Sequence, residues 1–441
     1  MRPHLAFAVI ASVAGVAYTF ITPPFQVPDE VGHYWRAASI GEGVINPRTT
    51  PRGSASELPK GVRDLVAATW FESGGKPESK FRPERWRAAW NVRLERDQRV
   101  LLLFPALYTP VPSAATAAAY AIGNVLELRP FVTFYLGRLA NLALYVALTS
   151  CAIAVTPVAP WAFFAAAAMP MPLFLAGSWS TDTATTAIVF VLIAVVLRTA
   201  QVRRFLTAGD LAGLALLVLA AGLCKGAYAG SGLVALAVLP RRFATRGRTA
   251  VASMIIVAAM LAGFGVSAAA AGRNYFAVRA SERVNPGQQT QCVVEHPGRF
   301  AAVLVNDIHH HGLAYLEQMV GRLGWLDVRI PRVLTAAELL VLLLATLCGS
   351  TAVRPVMRFT ATLAFAGGVA AVFISQYLVW TPICSASLEG VQGRYFIPLI
   401  PLAITATAGC LRDWRSVRVA VPLLSCIANI VGLAAVWARY Y

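Results

Sequence analysis

Two carboxylates and two cations stand out in a chain that is otherwise poor in charge. Pro28-Asp29-Glu30 lies just beyond the first long apolar run, after Pro23-Pro24. Proline restricts the backbone as it leaves that run. Acids are favoured in the first turn of the helix predicted over 30–39. A carboxylate there is either a helix cap or a general base or cation ligand. Asp182, in Ser178-Trp179-Ser180-Thr181-Asp182, has the same two readings: an N-cap for the apolar run that follows, or the second acid of a site. Lys225 is hemmed by apolar sequence in Leu223-Cys224-Lys225-Gly226-Ala227-Tyr228. An ionisable residue at membrane depth is costly and marks a candidate site, the alternative being a lysine that snorkels to the surface. Arg394 stands between Gly393 and Tyr395 at the lip of another apolar run. Its planar fork suits a phosphate, although Arg with Tyr also makes an ordinary interfacial anchor. The chemistry these types suggest is a phosphate held by cations beside a carboxylate able to take a proton.

Further candidates are weaker. Arg138, in Gly137-Arg138-Leu139-Ala140-Asn141, is an intramembrane cation expected to pair with Asp29 or Asp182, which would make it structural. Asp307 and His311 are four apart on a helix predicted over 297–321 and share a face. The consecutive His309, His310 and His311 diverge by about 100° each and do not converge on one metal. Asp327 ends Gly324-Trp325-Leu326-Asp327, and glycines near Gln392 permit close backbone approach. Cys292 and Cys384 fall in two loops assigned to the oxidising side, where a disulfide between them would persist. The other cysteines have no metal spacing and lie in or beside apolar runs.

The elements that position these residues are apolar. The chain has 441 residues, 57% hydrophobic and 13% charged, against about 25% charged in an average soluble domain. Runs near twenty residues recur, each sufficient for a hydrocarbon core of roughly 30 Å. Backbone groups in lipid need internal partners, so these runs are expected to be helices. The runs cover 5–22, 131–154, 158–176, 182–197, 211–223, 229–239, 249–271, 333–348, 359–380, 395–411 and 419–437. The net charge of +17 would suggest nucleic acid in a soluble protein. Here many arginines sit in alternate short loops, at 198–204, 241–248, 354–358 and 412–418, which the positive-inside rule assigns to the cytoplasm. The loops at 178–181, 225–228, 273–332 and 381–394 are then external.

The segment 101–125 contains Pro105, Pro110 and Pro112, so its first half is read as interfacial or re-entrant rather than as a span. The first external loop, 23–100, carries Trp70, Trp86 and Trp90 among mixed charges, which suits amphipathic interfacial helices. The expectation is one all-α integral membrane domain over 1–441. It would have about eleven transmembrane helices plus re-entrant or interfacial helices, and a second large external loop at 273–332. The bilayer is the implied partner and nucleic acid is not.

Several motifs occur together in order. They are Pro28-Asp29-Glu30 with His33, Phe104-Pro105-Ala106-Leu107-Tyr108, Arg138-Leu139-Ala140-Asn141, and Met171-Pro172-Leu173-Phe174 leading to Ser180-Thr181-Asp182. Lys225, Gly324-Trp325-Leu326-Asp327 and Gly390-Val391-Gln392-Gly393-Arg394-Tyr395-Phe396 follow. The set resembles a bacterial multipass family known only as a domain of unknown function. That family in turn resembles, more loosely, the GT-C superfamily of membrane glycosyltransferases. The resemblance implies an inner-membrane enzyme whose active face is periplasmic. It would transfer a sugar from a polyprenyl-phosphate carrier to an envelope glycan or lipid. It implies Asp29 or Glu30 as the first-loop carboxylate and Asp182 as the second acid, with Asp29 as general base or, with Asp182, as holder of a divalent cation. Lys225 and Arg394 would bind the lipid phosphate. His33, Arg138, Tyr228, Asp327, Gln392 and Tyr395 complete the implied substrate-binding set. One departure is Leu107-Tyr108-Thr109, where the superfamily carries a Pro-Pro-Leu-Tyr-Tyr run. The rival classes are a transporter or flippase of a lipid-linked saccharide and a non-catalytic envelope-assembly protein.

Overall fold

The computed structural model describes residues 2–50, 53–73, 76, 78–274, 284–348, 353–409 and 415–441. Helix α1 (Pro3–Ile21) is followed by α2 (Glu30–Gly41), α3 (Lys60–Thr69), α4 (Glu84–Asn91), α5 (Ala114–Val125) and α6 (Pro130–Val155). Next come α7 (Pro160–Ala167), α8 (Pro170–Ala176), α9 (Asp182–Gln201), α10 (Ala208–Cys224), α11 (Leu233–Leu236) and α12 (Arg246–Asn274). The chain continues through α13 (Pro286–Glu295), α14 (Pro297–Gly321), α15 (Arg332–Leu347), α16 (Pro355–Val379), α17 (Ile400–Thr407) and α18 (Arg415–Tyr440).

Six of these helices are long and apolar enough to cross a membrane: α1, α6, α9, α12, α16 and α18. At 1.5 Å per residue, the shortest is about 28 Å long, close to the thickness of a hydrocarbon core. The count of about eleven spans is therefore not reproduced, and the reason is local. The run 158–176 is divided into α7 and α8, with Pro170 opening the second piece. The run 229–239 is divided between the end of a 3-10 helix, Gly226–Gly232, and the four-residue α11. The run 395–411 begins as a second 3-10 helix, Gly393–Leu399, containing Pro398, before α17. Helices α10 and α15 have 17 and 16 residues. Hydropathy counts such pieces as spans, because composition does not register where a proline or a 3-10 turn interrupts a ladder.

The fold is all-α and membrane-like as expected, with small β additions. A small antiparallel sheet is built in the first long loop from β1 (Arg48–Thr50), β2 (Gly53–Pro59) and β3 (Arg99–Phe104), in that order. Ser54 lies opposite Phe104, and Pro59 opposite Arg99. The segment read as re-entrant thus starts as a strand and then forms the twelve-residue α5. The expected amphipathic helices of this loop are present as α3 and α4, with Trp86 and Trp90 on α4. A two-stranded turn, β4 (Arg322–Leu323) with β5 (Val328–Arg329), follows α14.

Helix α9 lies at the centre of the bundle, with 72% of its most apolar stretch buried, against 17% for the peripheral α12. Close packing around its N-terminus depends on a small residue. Gly137 of α6 lies under the indole of Trp179, and a Cβ there would come 2.1 Å from the ring. The Trp179 Nε1–H donates to the Phe134 carbonyl at 3.0 Å. Small residues at helix contacts allow such approach within a membrane. In the second large loop, Cys292 of α13 is disulfide-bonded to Cys384, so the expected pair exists.

Candidate functional site

Four helix ends meet where the two acids and two cations collect. Asp29 precedes α2 and has left-handed backbone, with φ at 63°. That region is uncommon outside glycine, although Asp tolerates it better than most, and such backbone clusters at functional sites. Asp182 is the first residue of α9. It is not the cap. Thr181 holds that position, and Ser180 Oγ accepts the Asp182 backbone N–H at 3.2 Å. This leaves the Asp182 carboxylate free to face the cations. Lys225 ends α10, and Arg394 lies in the first turn of the 3-10 helix Gly393–Leu399.

The position of Arg394 follows from its glycine neighbour. Gly393 presses against α14 so closely that a Cβ would fall 1.9 Å from the Tyr315 carbonyl oxygen. Its N–H donates to Gln318 Oε1 at 2.7 Å. The close approach expected near Gln392 is realised here.

The four charges alternate in sign. Arg394 Nη2 donates to Asp29 Oδ2 at 2.5 Å. Arg394 Nε lies 3.5 Å from Asp182 Oδ2, and Lys225 Nζ donates to Asp182 Oδ1. Aromatic faces close the cation side. Lys225 Nζ is 4.7 Å from the Tyr108 ring centre and 5.3 Å from that of Tyr395. Tyr228 steadies this wall by donating its hydroxyl to the Tyr395 carbonyl at 2.8 Å. The His33 ring is 6.3 Å from that of Tyr108.

Exposure is uneven across the cluster, and that matters for chemistry. The side chains of Arg394, Asp182 and Lys225 are 2%, 7% and 11% exposed, whereas Asp29 is 56% exposed. Arg394 Nη1 is buried and has no partner among the described residues. The group therefore presents one accessible carboxylate beside a guanidinium with an unused donor. Crowding by surrounding protein pushes the Asp29 carboxyl upward, but the Arg394 guanidinium and then His33 outweigh it and hold Asp29 below the usual carboxylate range. Burial pushes the His33 imidazole down to about 4, against the upward pull of Asp29 and Asp182. At neutral pH, Asp29 is thus an anion and His33 is neutral.

Glu30 and Arg138 form a separate unit. The expected partner of Arg138 was Asp29 or Asp182; it is Glu30. Both side chains are fully buried and paired bidentately, with Nη2–Oε2 at 2.7 Å and Nε–Oε1 at 2.9 Å. The rest of the guanidinium donates to the carbonyls of Thr19, Thr22 and Pro23. Glu30 also accepts the backbone N–H groups of Phe25 and Trp179. This pair fastens the end of α1 to α2, α6 and the α8–α9 turn, immediately behind Asp29.

Asp327 is also held apart from the cluster. Its partner is Arg439 on α18, with Nε–Oδ2 at 2.9 Å. Gln392 is half-buried, and its Oε1 is unpartnered among the described residues. Asp307 bonds His311 and Tyr315 in a closed group on α14. Among the described residues, no three His, Cys, Asp or Glu side chains converge as a metal site. Both carboxylates considered for a divalent cation are paired in this structure, Asp29 with Arg394 and Asp182 with Arg394 and Lys225.

A family model described as a predicted membrane protein, DUF2142, matches residues 13–403. The chain belongs to the DUF2142 family. The matched region runs from α1 through α17 and contains every member of the Asp29–Arg394–Asp182–Lys225 cluster. No curated protein and no solved structure matches the chain. DUF2142 membership therefore establishes a membrane protein and leaves the chemistry to be read from the site. Two contributors to that site escaped the sequence reading in their present roles. Tyr108 closes one of the ordered motifs and was given no role, yet it lies against Lys225. Gln318, which seats Gly393, sits in a helix with no motif of its own.

Proposed function

We propose that this protein is a glycosyltransferase of the bacterial inner membrane, working on its periplasmic face with a polyprenyl-phosphate sugar as donor. The observation that carries the reading is the accessible Asp29 carboxylate beside the buried Arg394, whose Nη1 is unused. In the resting site Arg394 is shared between Asp29 and Asp182. An incoming lipid phosphate would draw on the free Nη1 and on Lys225, competing with Asp29 for the guanidinium. Asp29 would then lose part of its ion pair and become a stronger base beside the acceptor.

In the reaction, Asp29 removes a proton from an acceptor hydroxyl. That oxygen bonds to the sugar's anomeric carbon while the bond from that carbon to the phosphate oxygen breaks. Polyprenyl phosphate leaves with the electron pair, and Arg394 and Lys225 offset its growing charge. Donor and acceptor meet at one interface, so positioning supplies part of the rate. Tyr395 and Tyr228 shape the cation wall, and neutral His33 remains available to hydrogen-bond the sugar or acceptor. Glu30 and Arg138 act as positioning residues. The looser GT-C resemblance and the Cys292–Cys384 disulfide, a bond that persists on the oxidising side, both favour this placement.

A flippase would want polar groups along a path through the bilayer. These charges gather instead where helices end, which favours chemistry at one interface. The test is sugar transfer by purified protein with a panel of polyprenyl-phosphate sugars. Asp29→Asn is expected to abolish transfer in a protein that still inserts and remains monodisperse. Undiminished transfer by that variant would remove Asp29 from the chemistry.

A further inference from the structure

A second basic site lies at the other end of α9. From Asp182 to Ala200 the helix rises about 27 Å at 1.5 Å per residue, so this site sits roughly a membrane's thickness from the acid–base cluster. A cavity of about 610 Å³ is lined there by Arg203, Arg242 and Arg354 above an apolar floor that includes Val158, Leu197 and Met357. This corresponds to the liquid volume of roughly twenty waters at about 30 Å³ each, more than a bare ion needs.

Two of the guanidiniums crowd one acceptor. Arg242 Nη2 donates to the Ala200 carbonyl at 2.5 Å, and Arg354 Nη2 reaches the same oxygen at 3.3 Å. Arg242 is 6% exposed, and its Nε has no partner among the described residues. No described carboxylate lines the cavity or pairs with these three arginines. Cations are expected at a helix C-terminus, but the α9 terminus supplies only about half a negative charge. Three cations facing one cavity leave a positive excess that this end does not cancel. A topogenic role accounts for arginines at a membrane edge. It does not account for a buried guanidinium with an idle donor in the wall of a cavity.

We infer that this cavity binds a phosphate-bearing anion with an apolar portion. Arg242 and Arg354 hold the phosphate, Arg203 guards the exposed mouth, and the apolar part rests on the floor. The chemistry fits the headgroup region of an anionic phospholipid or a soluble organic phosphate. The inference is independent of the glycosyltransferase reading.

The experiment uses the full-length protein, purified in neutral detergent. Retention of phosphatidylglycerol against phosphatidylcholine is measured by native mass spectrometry. Thermal protection by glycerol 3-phosphate and by inorganic phosphate is measured in parallel. Phosphatidylglycerol is expected to be retained at least tenfold over phosphatidylcholine, with the preference lost in Arg242→Gln and Arg354→Gln and kept in Arg332→Gln, an exposed arginine outside the cavity. Protection by the soluble phosphates without a lipid preference, again lost in those variants, would assign the same site to a soluble ligand. Should Arg242→Gln fail to fold, Arg203→Gln at the exposed mouth carries the test, with at least a threefold loss expected. Equal retention of the two lipids with no protection by either phosphate overturns the inference. So does a preference untouched by the arginine changes.

Discussion

Replacing Arg138 with methionine tests the division between the pair that builds the site and the group that works in it. The guanidinium has five N–H groups, and each has an acceptor: two carboxylate oxygens of Glu30 and the carbonyls of Thr19, Thr22 and Pro23. Both partners are fully buried. Arg138→Met therefore leaves the Glu30 carboxylate with two neutral donors, Phe25 N–H at 2.9 Å and Trp179 N–H at 3.2 Å. Three carbonyls at the end of α1 lose their donor. Breaking a buried ion pair from one side costs about 3–5 kcal/mol, and the stranded carbonyls add to that. The double change Glu30→Met with Arg138→Met removes the stranded charge, so it is expected to recover part of the loss. Full recovery is not expected, because the carbonyls stay unpaired. The assay is denaturant unfolding in a mild detergent, followed by tryptophan fluorescence and by the monodisperse fraction. Asp29→Asn, at a side chain 56% exposed, is the reference and should shift stability by under about 1 kcal/mol. An Arg138→Met protein as stable as Asp29→Asn would refute the assignment of the Glu30–Arg138 pair as structural.

Other consequences can be checked separately. Gly393→Ala would drive a Cβ into the Tyr315 carbonyl and to 2.8 Å from Met319 N; α14 and the Arg394 turn must then separate, and transfer activity should fall with the thermal midpoint. The depressed His33 pKa makes stability pH-dependent. The unfolded chain takes up a proton near 6.5, whereas the folded chain does so only near 4, so stability should fall as pH drops from 6.5 to 4, and His33→Asn should flatten that limb of a stability–pH curve. Asp29, held below its ordinary value, adds a further loss below about pH 3.8. Cys292→Ser opens a loop closed over a 92-residue separation, which chain-entropy arguments put at no more than about 4–5 kcal/mol; hydrogen exchange should quicken in α13 and around Cys384, and non-reducing mass spectrometry of the parent should find those two thiols joined.

Much of the site was legible because charge is rare in this chain. Asp29, Asp182, Lys225 and Arg394 each interrupt apolar or proline-rich sequence, and residue type alone suggested anion chemistry. Their union was less legible. Asp29 and Arg394 are 365 positions apart, and no local pattern encodes a contact at that separation. The partner of Arg138 was misjudged for a similar reason: Asp29 and Glu30 are neighbours, and only the left-handed backbone at Asp29 turns one outward and the other inward. The span count was not reproduced where apolar runs are divided into short or 3-10 pieces, at prolines in 158–176 and 395–411, which composition does not register. Strand β3 was missed because Leu101–Phe104 reads as the head of a longer apolar run, and a short buried strand and a helix segment share that signature. Asp327 was grouped with the site on motif order alone, whereas its partner Arg439 comes from the far end of α18.

The most direct measurement is the affinity of the purified protein for undecaprenyl phosphate against undecaprenol, made in the Arg242→Gln background so that the cavity at the other end of α9 does not report. Charge-assisted hydrogen bonds contribute about 1.5–3 kcal/mol each. The phosphate form should therefore bind roughly tenfold to a hundredfold tighter, and Arg394→Gln should erase most of that difference. Equal affinity for alcohol and phosphate, or a preference that survives Arg394→Gln, would contradict a lipid-phosphate site built on Arg394 beside Asp29.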